Sequence, residues 1–183
     1  MSLVRTLVLL PIASIGIASS AESHADTNGE QWELVWSDEF EGIQLDRTKW
    51  KPERSCWGGG NNERQCYTDR LKNIRVEGGA LRLIAYKEKF RGPDRPPEIA
   101  VKPNPDKTQS YTSGKIRTLG LSSWKYGRVE FRAKPPKGQG TWPAVWMMPA
   151  ANVYGSWPRS GEIDILEGCL LYTSPSPRDG LLS

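Results

Sequence analysis

Histidine is almost missing from this chain. The single one, His24, stands near the N-terminus. The sequence therefore offers no Ser-His-Asp or Cys-His arrangement for nucleophilic catalysis. Cysteine is scarce as well: Cys56, Cys66 and Cys169 are the three. No His lies beside the first two, so they do not read as a zinc site. No G-x-x-x-x-G-K-[ST] loop occurs, so the glycines of "CWGGGNNE" do not cradle phosphates. There is no dense basic cluster. The 25 basic and 21 acidic residues are interspersed, the net charge is +4, and a nucleic-acid partner is not expected. No segment sustains a helical period, and no internal repeat is visible. Chemistry, if this chain performs any, falls to carboxylates.

One apolar run stands out, at the start. "MSLVRTLVLLPIASIGIASSA" has Arg5 ahead of an apolar stretch from Leu7 to Ala18, then small residues. This pattern predicts a secretory leader over residues 1–25, cut after Ala21 or Ala25. Pro11 interrupts the run, and it is short of the ~18–20 apolar residues that cross a bilayer, so no membrane anchor is expected. Export would place Cys56 and Cys66 in an oxidising compartment, where they can pair or remain two buried thiols.

The body of the chain reads as β-structure. In "NIRVEGGALRLIAY", Ile74 and Val76 precede Gly78-Gly79, and Leu81, Leu83 and Ala85 follow: two alternating strands around a glycine turn. "SGKIRT", "GRVEFRAK" and "AVWMM" are further short strands bounded by Gly and Pro. Residues 91–110 carry five prolines and predict a long surface loop. Many short alternating strands predict an all-β sandwich. Eight tryptophans are many for 183 residues. An indole ring suits the apolar face of a sugar, and several of these lie near Gly, Pro and Asn loops, which favours a cleft.

The richest stretch is "GEIDILEG", residues 161–168. In a strand, Ile163 and Ile165 face the core while Glu162 and Asp164 face the other side. A regular strand would then drive Glu167 into the core, at a large cost. A β-bulge near Leu166 shifts the pleat by one residue and returns Glu167 to the face of Glu162 and Asp164. Glu162 and Glu167 are then four pleat steps, roughly 13 Å, apart at Cα. Leaning side chains on a concave sheet would bring the carboxyls to the ~5–5.5 Å of a retaining glycosidase. Carboxylates held so close separate their roles, one ionised as nucleophile and the other protonated as general acid.

These residues carry a resemblance. The chain resembles glycoside hydrolase family 16, and within it the laminarinase-like β-1,3-glucanases, from "WELVWSDEF" through "GGGNNERQCYTDR", "NIRVEGGAL", "YTSGKIRT", "KYGRVEFRAK" and "PKGQGTWPAVWMMP" to "SWPRSGEIDILEG". The resemblance implies a jelly-roll β-sandwich with a sugar cleft on its concave face. It implies Glu162 as nucleophile, Asp164 as its helper and Glu167 as acid/base. It implies Trp142 and Trp157 against sugar rings and Asn61 as a substrate hydrogen-bonder. It further implies a structural calcium, held partly by backbone carbonyls at Glu39 and Gly79 and partly by a late Asp; the chemistry itself needs no cofactor. Where relatives often read "NNELQYY", this chain has Arg64 and Cys66.

The expected protein is thus a secreted, monomeric endo-glycosidase acting on β-1,3-glucan or mixed-linkage glucan. A non-catalytic glucan-binding protein on the same fold is the alternative, although such a protein is free to lose the three acids. An agarase- or carrageenase-like hydrolase shares the same acid motif. The catalytic domain is expected over residues 26–168. Residues 169–183 are expected to be foreign: Cys169 to Asp179 match, codon by codon, one frame of a transposase-end sequencing adaptor. All-β domains often run ~200–250 residues. The chain as given is therefore expected to be an inactive fragment, with sheet edges unpaired.

Overall fold

The computed structural model describes residues 2–11, 23–25, 31–138 and 140–168. The tail at 169–183 and the middle of the expected leader lie outside these. The described residues form strands, turns and one short 3-10 turn at Gly58–Gly60. The chain divides into two units, Met1–Lys134 and Pro135–Ser183.

In the first unit, the largest sheet has six strands. They are β1 (Ser2–Pro11), β2 (Ser23–Ala25), β3 (Gln31–Asp38), β6 (Ile74–Val76), β7 (Leu81–Leu83) and β11 (Arg128–Ala133). Around them lie β4 (Lys51–Pro52) with β10 (Ile116–Arg117), and a second sheet of β5 (Gln65–Tyr67), β8 (Tyr86–Pro93) and β9 (Asp106–Ser113). The segment expected as a leader supplies β1, which pairs antiparallel with β3, β7 and β11. A segment as rich in leucine and valine as Ser2–Pro11 suits a central strand as readily as a leader.

The glycine hairpin forms as expected. Ile74 pairs with Leu83 and Val76 with Leu81. Gly78 and Gly79 turn with φ of 61° and 65°, the left-handed region that favours glycine. Ile74, Val76 and Leu81 are buried with Phe40 and Trp50, and Trp36, Leu45, Leu83 and Ile116 pack against that cluster. Trp36 meets Trp50 edge-on at 5.2 Å and Trp124 at 5.3 Å. The Trp50 indole donates to Asp38 Oδ2 at 2.8 Å, which satisfies the buried N–H. These three tryptophans build the interior rather than a cleft.

The expected loop at 91–110 is shorter than its prolines suggest. β8 and β9 run into it, pairing Arg91 with Thr108, Gly92 with Lys107 and Pro93 with Asp106. Pro93 closes the strand, where its missing N–H costs little, and its carbonyl accepts from Cys56 N at 2.8 Å. The second sheet is held by polar side chains. Asn73 and Thr112 are fully buried and hydrogen-bonded to each other at 3.1 Å. Glu88 accepts from Lys72 (2.8 Å), Thr112 (2.5 Å) and Arg70 (2.5 Å), and these bonds hold its carboxyl at about 2, well below the usual range.

Candidate active site

The second unit carries the acids on a two-stranded ladder of β12 (Ala144–Met147) and β13 (Ile163–Glu167). Its register holds the expected irregularity. Val145 pairs with Leu166 and Trp146 with Asp164, so Ile165 is the extra residue of a bulge. Glu167 opposes Ala144 and Asp164 opposes Trp146. Residues directly opposite share a face, so the bulge brings Asp164 and Glu167 to one side. Glu162, two residues before Asp164, continues that side, and all three acids are exposed.

β12 supplies the rest of this face. Exposure alternates along it: Trp142, Ala144, Trp146 and Met148 are exposed, Pro143, Val145 and Met147 half-buried. The Trp142 indole N–H donates to Glu167 Oε1 at 3.0 Å. Trp146 was not among the expected site residues, although the two-residue period of a strand sets it on the same side as Ala144. Ile163 departs from expectation: it is 62% exposed rather than in a core. β13 has a single neighbour among the described residues, and a two-stranded ladder gives Ile163 little to pack against.

Local chemistry explains both ends of β13. Gly161 opens it with φ of 84°, strained for any other residue. Gly168 closes it, its N–H bonded to the Pro143 carbonyl at 2.9 Å. A Cβ there would meet Pro143 Cγ at 3.0 Å. Before β13, Ser160 Oγ donates to the Gly155 carbonyl at 2.6 Å and accepts from Tyr154 N at 3.1 Å. This turn presents Trp157, 63% exposed.

The remaining expected site residues belong to the first unit. Asn61 is exposed at the end of the Gly58–Gly60 turn. Cys56 and Cys66, both fully buried, are joined as a disulfide. Arg64 is exposed, so its charge stays in water. For calcium, Glu39 and Gly79 would contribute backbone carbonyls alone. No group of three or more His, Cys, Asp or Glu side chains able to hold a metal occurs among the described residues. Two carbonyls supply only part of the six to eight oxygens calcium takes, the rest falling to the expected late Asp and to water.

A model of the XgeA-like catalytic domain of glycoside hydrolase family 16 matches residues 121–175. A β-glucanase of Rhodothermus marinus is 42% identical over 167 residues, covering 89% of this chain and 52% of its own length. A glucan endo-1,3-β-glucosidase of Cryptopygus antarcticus is 46% identical over 137 residues, covering 74% of this chain and 46% of its own. The X-ray structure of the Rhodothermus marinus laminarinase superposes with a TM-score of 0.61 at 45% identity, over 75% of this chain and 50% of that one. The chain belongs to glycoside hydrolase family 16. Its fold is the all-β, jelly-roll class of the solved laminarinases. The chain spans about half the length of these relatives.

Proposed function

We propose that the full-length protein is a retaining endo-glycosidase that cleaves β-1,3-glucan or mixed-linkage β-glucan. The observation that carries this is the bulged strand β13, which sets Asp164 and Glu167 on one face while Trp142 holds Glu167 in place. Glu162 attacks the anomeric carbon as Glu167 protonates the departing glycosidic oxygen, giving a glycosyl ester on Glu162. Water then attacks that carbon, Glu167 takes its proton, and Glu162 leaves as carboxylate. Asp164, between them on the strand, is assigned as the helper of the nucleophile. No step needs a metal or cofactor. Three acids on one exposed face favour this over a protein that only binds glucan.

The test is laminarin hydrolysis by the full-length protein, followed by NMR of the fresh reducing end. Retention predicts that the β-anomer appears first. First appearance of the α-anomer, or no hydrolysis, would overturn the reading.

Trp157 is assigned to a sugar ring and Asn61 to a sugar hydroxyl. Trp157→Ala is expected to weaken oligosaccharide affinity about tenfold, the scale of one lost aromatic contact. An exposed side chain contributes within about 0.5 kcal/mol to stability, so the melting temperature should hardly move. A large melting shift with unchanged affinity would make Trp157 a packing residue.

The partner is the polysaccharide, and the protein works as a monomer. Secretion is supported by the leader-like N-terminus and by the disulfide, which suits an oxidising compartment. Cleavage after Ala21 or Ala25 would remove β1, and β3, β7 and β11 would then offer edges to another strand.

A further inference from the structure

The segment from Cys56 to Cys66 is closed at its ends by the disulfide and folded around one side chain. Glu63 Oε2 accepts from the Gln65 amide and from the Tyr67 hydroxyl, the latter at 3.2 Å. Burial, and next to it the Glu63 charge, push the Tyr67 hydroxyl far above its ordinary range, so it stays a donor. The other oxygen, Oε1, lies under Gly59, where a Cβ would collide with it. A Cβ on Gly58 would lie 2.5 Å from the Glu63 carbonyl oxygen. Gly58 and Gly59 have φ of 72° and 61°, and Asn62 follows at 58°. The Gln109 side chain donates to the Glu63 carbonyl at 3.2 Å and to the Cys56 carbonyl at 3.4 Å. The backbone thus wraps a carboxylate, with two glycines as the only residues that allow the approach.

That wrapped turn carries Asn61. Its N–H is bonded to the Gly58 carbonyl at 2.9 Å. Its side chain is exposed and makes no hydrogen bond to another described residue. An amide held on a fixed backbone with both ends free can read a hydroxyl that donates and accepts. We propose that Glu63 is a positioning residue for substrate: its carboxylate sets the shape of the Gly58–Asn62 turn, and so aims the Asn61 amide at a sugar hydroxyl. Glu63 itself does not touch the sugar. This rests on the reading of Asn61 as a sugar contact. It adds that the contact is built by a second residue, one that no side-chain pattern in the sequence marks.

The experiment uses the full-length protein with laminarin for kinetics and a laminari-oligosaccharide for calorimetric affinity. Glu63→Ala is expected to raise KM and weaken affinity about tenfold, one well-placed hydrogen bond, with kcat within about twofold. Glu63→Gln should recover most of the affinity, because an amide oxygen can still accept from Gln65 and Tyr67. Tyr67→Phe keeps the packing and removes one brace, so about a threefold loss is expected. Asn61→Ala should match Glu63→Ala, and the double variant should be no weaker than either. Additive losses, an unchanged KM in Glu63→Ala, or a fall confined to kcat would overturn the proposal. Should the wild type bind the oligosaccharide without hydrolysing laminarin, the enzymatic reading fails, yet the same affinity comparisons still decide the role of Glu63. Absence of binding in the wild type overturns both.

Discussion

Glu162→Gln is expected to reduce laminarin turnover by on the order of a thousandfold or more, the scale on which removal of a nucleophile acts, and to leave oligosaccharide binding intact. The amide matches the carboxylate in size but cannot form the glycosyl ester. Glu162 is exposed, so the exchange removes no buried contact and the fold should be unaffected. The two glutamates can be told apart by the leaving group. Glu167→Gln removes the proton donor, which a sluggish sugar leaving group needs and an activated aryl leaving group does not. With an aryl glycoside, Glu167→Gln should therefore keep a fast first step and stall at the ester, whereas Glu162→Gln should be slow throughout. Equal losses for both variants on both substrates would remove the separate roles. Full activity in Glu162→Gln would dismiss it as nucleophile.

The acid strand was legible because it breaks a rule. Isoleucines at 163 and 165 and acids at 162 and 164 fix a pleat that Glu167 violates, and a single bulge is the cheapest repair. The structure places that bulge at Ile165. The hairpin at Gly78-Gly79 was legible for a similar reason, since alternation and turn chemistry agree. Other parts carried no such signal. β9 reads "DKTQSYTS", and apolar periodicity cannot find a strand that is polar on both sides. Its partner β5 is three residues long, and parallel pairing between them is a tertiary fact. Composition could not sort the tryptophans either. Trp36, Trp50 and Trp124 pack together, whereas Trp142 and Trp157 stand exposed, and all five are the same residue to a count. The N-terminal run fits two readings because a leader and a central strand ask for the same apolar residues. Glu63 was invisible for a different reason: a carboxylate enclosed by its own loop is defined by backbone shape.

Asn73→Ala is expected to lower the melting temperature by roughly 10 °C or more in the full-length protein, without altering the acids. Asn73 is fully buried, and its amide uses every hydrogen-bonding position it has. Its oxygen accepts from Thr68 Oγ1 at 2.5 Å and from Arg70 Nη2 at 3.1 Å. Its nitrogen donates to the Ile84 carbonyl at 3.0 Å and to Thr112 Oγ1 at 3.1 Å. Thr112 is fully buried as well, and Thr68 is 3% exposed. The backbone adds two more ties, Asn73 N to the Arg70 carbonyl and Ile84 N to the Asn73 carbonyl. One side chain therefore joins the turn before β6, the end of β7 and strand β9. Truncation strands several of these partners away from water, at about 1–3 kcal/mol for each buried group left unpaired. Summed with partial relaxation, a loss of about 3–5 kcal/mol is expected, the upper range for a single substitution. Asn73→Asp sharpens the test. It keeps the shape and the acceptor side, but sets an oxygen against the Ile84 carbonyl where an N–H stood. Repulsion there should make it at least as harmful as alanine. Serine at 73 should fare little better, since one hydroxyl cannot serve four partners. Thermal denaturation of the three variants decides it. Shifts below about 2 °C in all of them would mean that water replaces the amide at no cost, and that the buried polar cluster does not hold the sheet.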